Sequence, residues 1–588
     1  MKKRSEVLDE YKWDFSLLYN SDQEFWRDLD EVGKCIINLS SYDGHLNNKD
    51  SIVRYLKEDE SVLKILSKMQ LYAMMRVDVC MTDSDAIKMQ DAVSNVEIAY
   101  GEQTAFVVPE LSLLDDDFLT SLINDAELKD YNRIFYGVLR NKLHMLSKQE
   151  EKLMAGMGSF AGFDEVFDNL ADVEMKFGEV DFNGKKNTLN NANYGLFIKS
   201  SDRLVRKQAH ENLHKEYSKY NLTLSTNYIN YLKKCDFVAR TYKFDSAFNR
   251  ALFNEEVDEK VYDKLIKNVH KALPLYHKYI STKARVLSIS DFCIYDLLAP
   301  VGDDSNFNLP YKEAAQLVKE ALNCLGPEYG ALLNKAFNNR WIDVFPNEGK
   351  KSGAYSVSVG VGAPFVLLNY NQTYNEISTI AHELGHSMHS YHSEKNQPFY
   401  KQNYVITVAE VTSTVNEVLL AKYILKNAKD KELKKFIIDS LLNQFSSTVY
   451  RQTMFSEFEY QAHKLVNDKK PISYVELNSI YDGLQKLYFK DTLKLHKYAK
   501  FEWSRIPHFY RAFYVFKYAT GFISAIKIAH NIETGGEEYV KKYLNFLSSG
   551  CSDDPISLLK IADVDLTKDE TYMEAFKYFE DLIEEFGK

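Results

Sequence analysis

Proline and glycine are scarce in this chain, with 11 and 24 among 588 residues. Both residues punctuate turns, so their scarcity argues against a turn-rich β fold and for long helices. Cysteine is sparse too. Cys35, Cys80, Cys235, Cys293, Cys324 and Cys551 form no close pairs in sequence, which suits reduced thiols in the cytoplasm better than a disulfide framework. No apolar run approaches the roughly 18 residues that span a bilayer. The start Met1-Lys2-Lys3-Arg4-Ser5-Glu6 leads into charged residues instead of an apolar core, so no signal peptide is expected. The formal net charge of −11 argues against a general nucleic-acid binder. A local pocket can still carry the opposite sign. Internal repeats and low-complexity stretches are lacking as well.

The length allows a large core and more than one lobe. Amphipathic patterns run over Val261–Leu287, Tyr311–Cys324 and Tyr572–Phe586, and the fold class expected is mainly α. One segment breaks the helical pattern. Residues 177–199 read as short strands, over Phe177–Phe182 and Tyr194–Ile198, with an Asn183-Gly184 turn. A soft boundary near 200 divides an N-terminal helical lobe, 1–200, from a catalytic lobe, 201–588.

The chemistry is concentrated in His382-Glu383-Leu384-Gly385-His386. Two histidines four apart on a helix share one face and can grip one metal ion, with the Glu between them placed to take a proton from water. The pattern names metal-assisted hydrolysis of an amide bond. Such a short motif also arises by chance, on a surface helix with two unrelated histidines, so its context decides. Thr373 with Glu376 three residues later forms a capping box, and Ile377, Ile380, Ala381 and Leu384 make a core-facing stripe. No proline interrupts the run until Pro398. The motif therefore sits mid-helix, where its geometry works. Gly385 costs about 1 kcal/mol of helix propensity and would permit close backbone packing.

A third ligand is needed. His392 has the spacing of a metzincin ligand, but that arrangement requires the helix to stop at a glycine where this chain has His389. In a continuing helix His392 lies about 240° round from His386. His389 and His392 are therefore read as surface residues or as indirect supports of the ligands. Downstream, Glu410 and Glu417 stand seven apart in an apolar segment, on one helix face. A carboxylate in such surroundings is costly unless paired or bound to a metal. On spacing alone either acid could ligate, with the other holding a histidine from behind, and ordinary half-exposed acids are the plain alternative.

Ala381–Ser390 followed by Val408–Ser413 resembles the thimet oligopeptidase group of gluzincin peptidases, and the oligoendopeptidase F branch in particular. The resemblance extends to Trp13–Tyr19, Tyr295–Pro300, Lys351–Ser356, Pro364–Tyr370, Ile506–Tyr510, Tyr518–Gly521 and Gly550-Cys551-Ser552, nearly the whole chain. It implies one Zn²⁺ on His382, His386 and Glu410, with Glu383 as general base and Glu417 supporting a ligand. It further implies a two-lobed helical ellipsoid around a deep channel that admits unfolded oligopeptides. Val359–Pro364 departs from the family's usual bulkier turn, which puts substrate contacts from that turn in doubt but not the chemistry.

Two further features complete the expected site. Residues 353–359 and 365–370 read as two strands joined by a Gly-Pro turn. Such a strand edge can hold an extended peptide by its main chain, which makes Gly353, Ala354 and Tyr355 candidate substrate contacts; an ordinary hairpin fits the pattern equally well. In 508–518, Tyr510, Tyr514 and Tyr518 recur every four residues, as if lining one helix face. Aromatic stripes are usually core. The family uses a His and a Tyr from this segment as oxyanion donors, roles that map best to His508 and Tyr514, with Tyr510 and Tyr518 left open.

The expected function is a cytoplasmic zinc endopeptidase of short unfolded peptides. The expected partners are oligopeptide substrates, with no nucleic acid, no membrane and no required oligomer. An exopeptidase with the same metal chemistry would need a clamp for a free terminus, which no residue pattern reveals. A peptide-binding scaffold with a relic metal site would have no use for Glu383.

Overall fold

The computed structural model describes residues 2–157, 162–302 and 307–588. It is mainly α, 71% helical, with a two-stranded and a three-stranded sheet. No described helix is long and apolar enough to cross a membrane. All six cysteines are free thiols. The chain forms two compact units, each assembled from three stretches.

One unit comprises His144–Asn306, Ala421–Lys527 and Val564–Lys588. Its hairpin pairs β1, Glu179–Phe182, with β2, Lys185–Thr188, in antiparallel register. Asn183 and Gly184 both have positive φ, 53° and 72°, the turn whose twist matches that of the strands. The strand expected at 194–198 is instead part of a helix, Asn191–Ile198. A short apolar run does not distinguish strand from helix. Here Asn190 accepts the N–H of Asn193 and the Asn193 side chain returns the bond, a capping box that decides for the helix. The pattern over 261–287 is two helices, Glu259–Lys271 and Leu273–Val286, because Pro274 lies in the first turn of the second. The helix Asp569–Phe586 buries Tyr572, Phe576, Phe579, Ile583 and Phe586 along one face.

The continuous helix expected over 508–518 is not formed. A 3₁₀ turn covers Pro507–Tyr510 and the next helix begins at Phe516. Between them Phe513, buried, sits at φ 57°, a conformation L-residues rarely adopt. The four-residue tyrosine spacing thus marks no common helix face.

The other unit comprises Met1–Leu143, Phe307–Leu420 and Ile528–Asp563. Its sheet has the order β3-β5-β4, with β3 Ile342–Asp343, β4 Tyr355–Val357 and β5 Phe365–Leu367. The expected hairpin is present as the antiparallel β4–β5 pair, shorter than the sequence pattern. β3 pairs parallel to β5 and has only two residues, too few for any period to show. Trp13, fully buried, donates its indole N–H to the carbonyls of Trp341 and Val366, which fastens the N-terminal segment to this sheet. β5 is buried throughout and central; β4 is a half-buried edge that packs on the helix Tyr374–Asn396, called here the motif helix. The Ser356 hydroxyl meets that of Ser387 at 2.8 Å, and the Ser358 hydroxyl donates to Glu394 at 2.8 Å, fixing strand to helix.

Candidate metal centre

The motif helix starts where the local chemistry directs. Thr373 accepts the Glu376 N–H, and the helix runs unbroken to Asn396. Ile377, Ile380, Ala381, Leu384 and Met388 fill its buried face. His382 and His386 project one turn apart, with ring centroids 4.9 Å apart. The helix Ile406–Asn427 crosses it. At the crossing Gly385 has no side chain to hold the backbones apart: a Cβ there would stand 2.5 Å from the Ser413 Cα. Asn416, buried on the second helix, donates to the Ala381 carbonyl at 3.0 Å and accepts from the Tyr329 hydroxyl at 3.0 Å.

This crossing carries Glu410 to the histidines. Its Oε2 lies 3.6 Å from His382 Nε2 and 3.8 Å from His386 Nε2, and the three ligand atoms fall within 4.8 Å of one another. The Ser413 hydroxyl donates to the same carboxylate at 3.3 Å. Glu417 sits behind the cluster, hydrogen-bonded to His382 Nδ1. A carboxylate only accepts, so Nδ1 carries the proton and Nε2 is turned toward Glu410.

The electrostatics divide the site. Burial disfavours charge on His382, but Glu417, Glu383 and Glu410 outweigh it and lift the imidazole to about 9. Burial and the adjacent His382 charge push His386 down to about 3, leaving a neutral ring with a free lone pair. Glu383, 6% exposed, is pushed up to about 7, by burial first and then by Glu410 and Glu417; His382 and the Ser356 backbone pull the other way. Two imidazoles and a carboxylate, one imidazole oriented from behind, fit a tetrahedral ion with an open position.

Comparisons with known proteins agree with the chemistry of this donor set. The sequence model of Peptidase family M3 matches residues 196–578, and that of Oligopeptidase F matches residues 110–177. This chain belongs to peptidase family M3. Oligopeptidase PepF of Bacillus subtilis (strain 168) is 36% identical over 586 residues, covering 99% of this chain and 88% of that protein. The Oligoendopeptidase F homolog of Borreliella burgdorferi is 34% identical over 591 residues, covering 100% of both. The crystal structure of oligoendopeptidase-F from Enterococcus faecium matches with a TM-score of 0.73 at 28% identity, covering 96% of this chain and 98% of that one. A member of the M3 family with these relatives is a metalloendopeptidase that acts on peptides.

Other residues singled out in the sequence of this M3 peptidase are placed as follows. His389 and His392, read as surface or supporting residues, are core: 1% and 3% exposed, outside the ligand cluster, with His389 stacked on Tyr404 at 3.6 Å. The helix simply continues past them. Gly353 has φ 87°, and its carbonyl accepts from Asn369 at 2.8 Å. Ala354 is half-buried beside it. The Tyr355 hydroxyl donates to Asp78 at 2.7 Å, so its side chain is already engaged. In the other unit, His508, Tyr514 and Tyr518 cluster, with the His508 and Tyr514 rings 6.1 Å apart and Tyr518 Oη 3.3 Å from His508 Nε2. Tyr510 points elsewhere: its hydroxyl accepts from Asn227 at 3.0 Å and its ring packs on an apolar cluster around Phe167. The sequence reading gave no role to Ser413, three residues from Glu410, and missed Asn416 and Tyr329, whose partners are distant in sequence and leave no local signal.

Proposed function

We propose that this chain is a zinc-dependent endopeptidase that cleaves internal bonds of short unfolded oligopeptides, with Glu383 as general base. The observation that carries the reading is the convergence of His382, His386 and Glu410 on one point, with a buried Glu383 beside them. Two imidazoles and a carboxylate suit zinc among the divalent ions. A zinc ion held there would act as a Lewis acid and lower the pKa of water to about 7.

The residues divide the remaining work. Glu383, buried beside the donor set, is placed to accept a proton from the attacking water and return it to the leaving amine, as a base-then-acid must. Glu417 keeps His382 in the tautomer that offers Nε2. The open edge of β4 offers main-chain groups to an extended peptide, and Gly353 and Ala354, with the backbone of Tyr355, are the proposed contacts. The family resemblance assigns His508 and Tyr514 to the developing oxyanion, where one donor is worth about 2.7–4 kcal/mol. Tyr518, hydrogen-bonded to His508, would hold that ring in place. The free thiols accord with work in the reducing cytoplasm.

The test is an internally quenched, end-blocked oligopeptide, with and without chelator, beside Glu383→Gln. Metal-dependent internal cleavage, lost in a Glu383→Gln protein that still binds metal, is the expected result. Cleavage confined to free-ended peptides would replace the endopeptidase reading with an exopeptidase.

A further inference from the structure

We propose that His210, His214 and His496 form a second metal-binding site, for zinc or a neighbouring late first-row divalent ion. None of these residues belongs to the His382 centre. His210 and His214 stand one turn apart on the helix Arg203–Lys219, their rings stacked at 4.0 Å. His496 arrives on the segment after Phe489. That segment is pinned at Lys494, whose N–H donates to the Phe292 carbonyl at 2.8 Å and whose carbonyl accepts from Ile294 at 3.1 Å. One ligand nitrogen from each histidine lies within 4.8 Å of the other two.

Hydrogen bonding fixes which lone pairs are available. His214 Nδ1 lies 2.8 Å from the His210 carbonyl. A carbonyl only accepts, so the proton is on Nδ1 and Nε2 is a lone pair. That nitrogen is buried in a residue 1% exposed and has no hydrogen-bond partner among the described residues. A buried acceptor left unpaired is destabilising, and a metal ion would supply the missing partner. His210 Nδ1 and His496 Nε2 are 2.7 Å apart with one proton between them. The Tyr498 N–H donates to His496 Nδ1 at 3.2 Å, so that proton belongs to His496 Nε2. An entering ion takes its place: the His496 ring carries the proton on Nδ1 instead, giving up the long bond from Tyr498, and Nε2 becomes a ligand.

The surroundings set the ion and its affinity. Three imidazoles without a thiolate favour zinc, cobalt or nickel, and disfavour calcium and magnesium. Burial disfavours the charged form of all three imidazoles, pushing His214 down to about 3, His496 to about 4 and His210 well below its usual range. Arg451 and Arg505 also face the cluster, and Glu502, the carboxylate that acts on it among the described residues, is bound by Arg451, Tyr481 and Gln485. With Glu502 so engaged the donor set is three neutral imidazoles, so this site binds more weakly than one with Glu410. His496 is half-buried and gives the ion a way in.

The experiment is metal stoichiometry on the full chain. Protein saturated with Zn²⁺, and separately with Co²⁺, is assayed for bound metal by mass spectrometry and for Co²⁺ by visible absorption. The wild type is expected to hold two equivalents. The His214→Ala and His496→Ala variants are expected to hold one, and the double variant His382→Ala/His386→Ala should retain one Co²⁺ in a low-symmetry site. Limiting chelator should remove the weaker equivalent first, before peptide cleavage is lost. No Co²⁺ in the folded double variant would overturn the proposal even if the cluster variants fail to fold, and one equivalent in the saturated wild type overturns it when His382→Ala/His386→Ala abolishes that equivalent. None of these binding readouts depends on the catalytic reading of the His382 centre.

Discussion

Gly385 and Ser413 meet backbone to backbone. A methyl group on Gly385 would stand 2.5 Å from the Ser413 Cα and 2.7 Å from the Thr412 carbonyl oxygen. Those atoms belong to a helix and cannot swing aside. Intrinsic propensity favours alanine in a helix by about 1 kcal/mol, but here the contact should dominate. Gly385→Ala should lower stability by about 1–3 kcal/mol and weaken metal binding by moving Glu410 off the histidines. Denaturation of the metal-free variant and a zinc titration check both. A more stable variant with unchanged zinc affinity would show that the helices can separate freely.

Glu417 is hydrogen-bonded to His382 Nδ1 from behind the ligand face. Removing such a supporting partner typically costs 10–100-fold in metal affinity. Glu417→Ala should therefore bind zinc about 10–100-fold more weakly in competition with a chelating dye. Glu417→Gln, which can still accept through its amide oxygen, should lose less. Equal affinity in all three proteins would remove Glu417 from the ligand-orienting role.

The motif helix was legible because its signals are local. A threonine cap, an apolar stripe and the absence of proline lie within 25 residues of one another. The crossing helix was legible only as an apolar segment with two acids. What sets Glu410 and Glu417 to different tasks is the Gly385–Ser413 approach and the Asn416–Tyr329 bond, both tertiary. The segment 508–518 misled for a related reason. Its tyrosine period is genuine, but Phe513 lies in the left-handed region and its N–H is taken by Glu459, from a helix far back in the chain. His392, four residues past Met388, continues the buried face of the helix, but histidines interrupt the apolar stripe there and so hide that His389 and His392 are core.

Asn416 ties the two helices through a buried pair of bonds, to Ala381 and Tyr329. Asn416→Ala would leave the buried Tyr329 hydroxyl without its acceptor and the Ala381 carbonyl with its helical bond alone. A loss of about 2–4 kcal/mol is expected, measured by chemical denaturation. Tyr329→Phe removes one of the bonds, so the double variant should lose less than the sum of the two single losses. Strict additivity would mean that the Tyr329–Asn416 bond adds nothing of its own.

Glu459 holds the strained turn that precedes Tyr514. Its Oε1 accepts the Phe513 N–H at 2.7 Å, and it is fully buried. Burial pushes its carboxyl up to about 8, against the pull of the Phe513 N–H and of Lys517. The folded state therefore keeps a proton that the unfolded chain releases near pH 4.5. Between about 4.5 and 8 the unfolded state binds fewer protons, so stability falls as pH rises, by at most about 1.4 kcal/mol per pH unit for one group. Glu459→Gln keeps an acceptor for Phe513 and cannot ionise, so this component of the pH slope should vanish in the variant. Denaturation midpoints of the two proteins should be close at pH 5 and diverge in favour of Glu459→Gln by pH 8. Glu459→Ala leaves the Phe513 N–H unpaired and should be less stable than either at every pH, by about 1–3 kcal/mol relative to Gln. Parallel pH profiles for wild type and Glu459→Gln would mean that the buried carboxyl is ionised throughout, with Lys517 rather than a retained proton as its compensation.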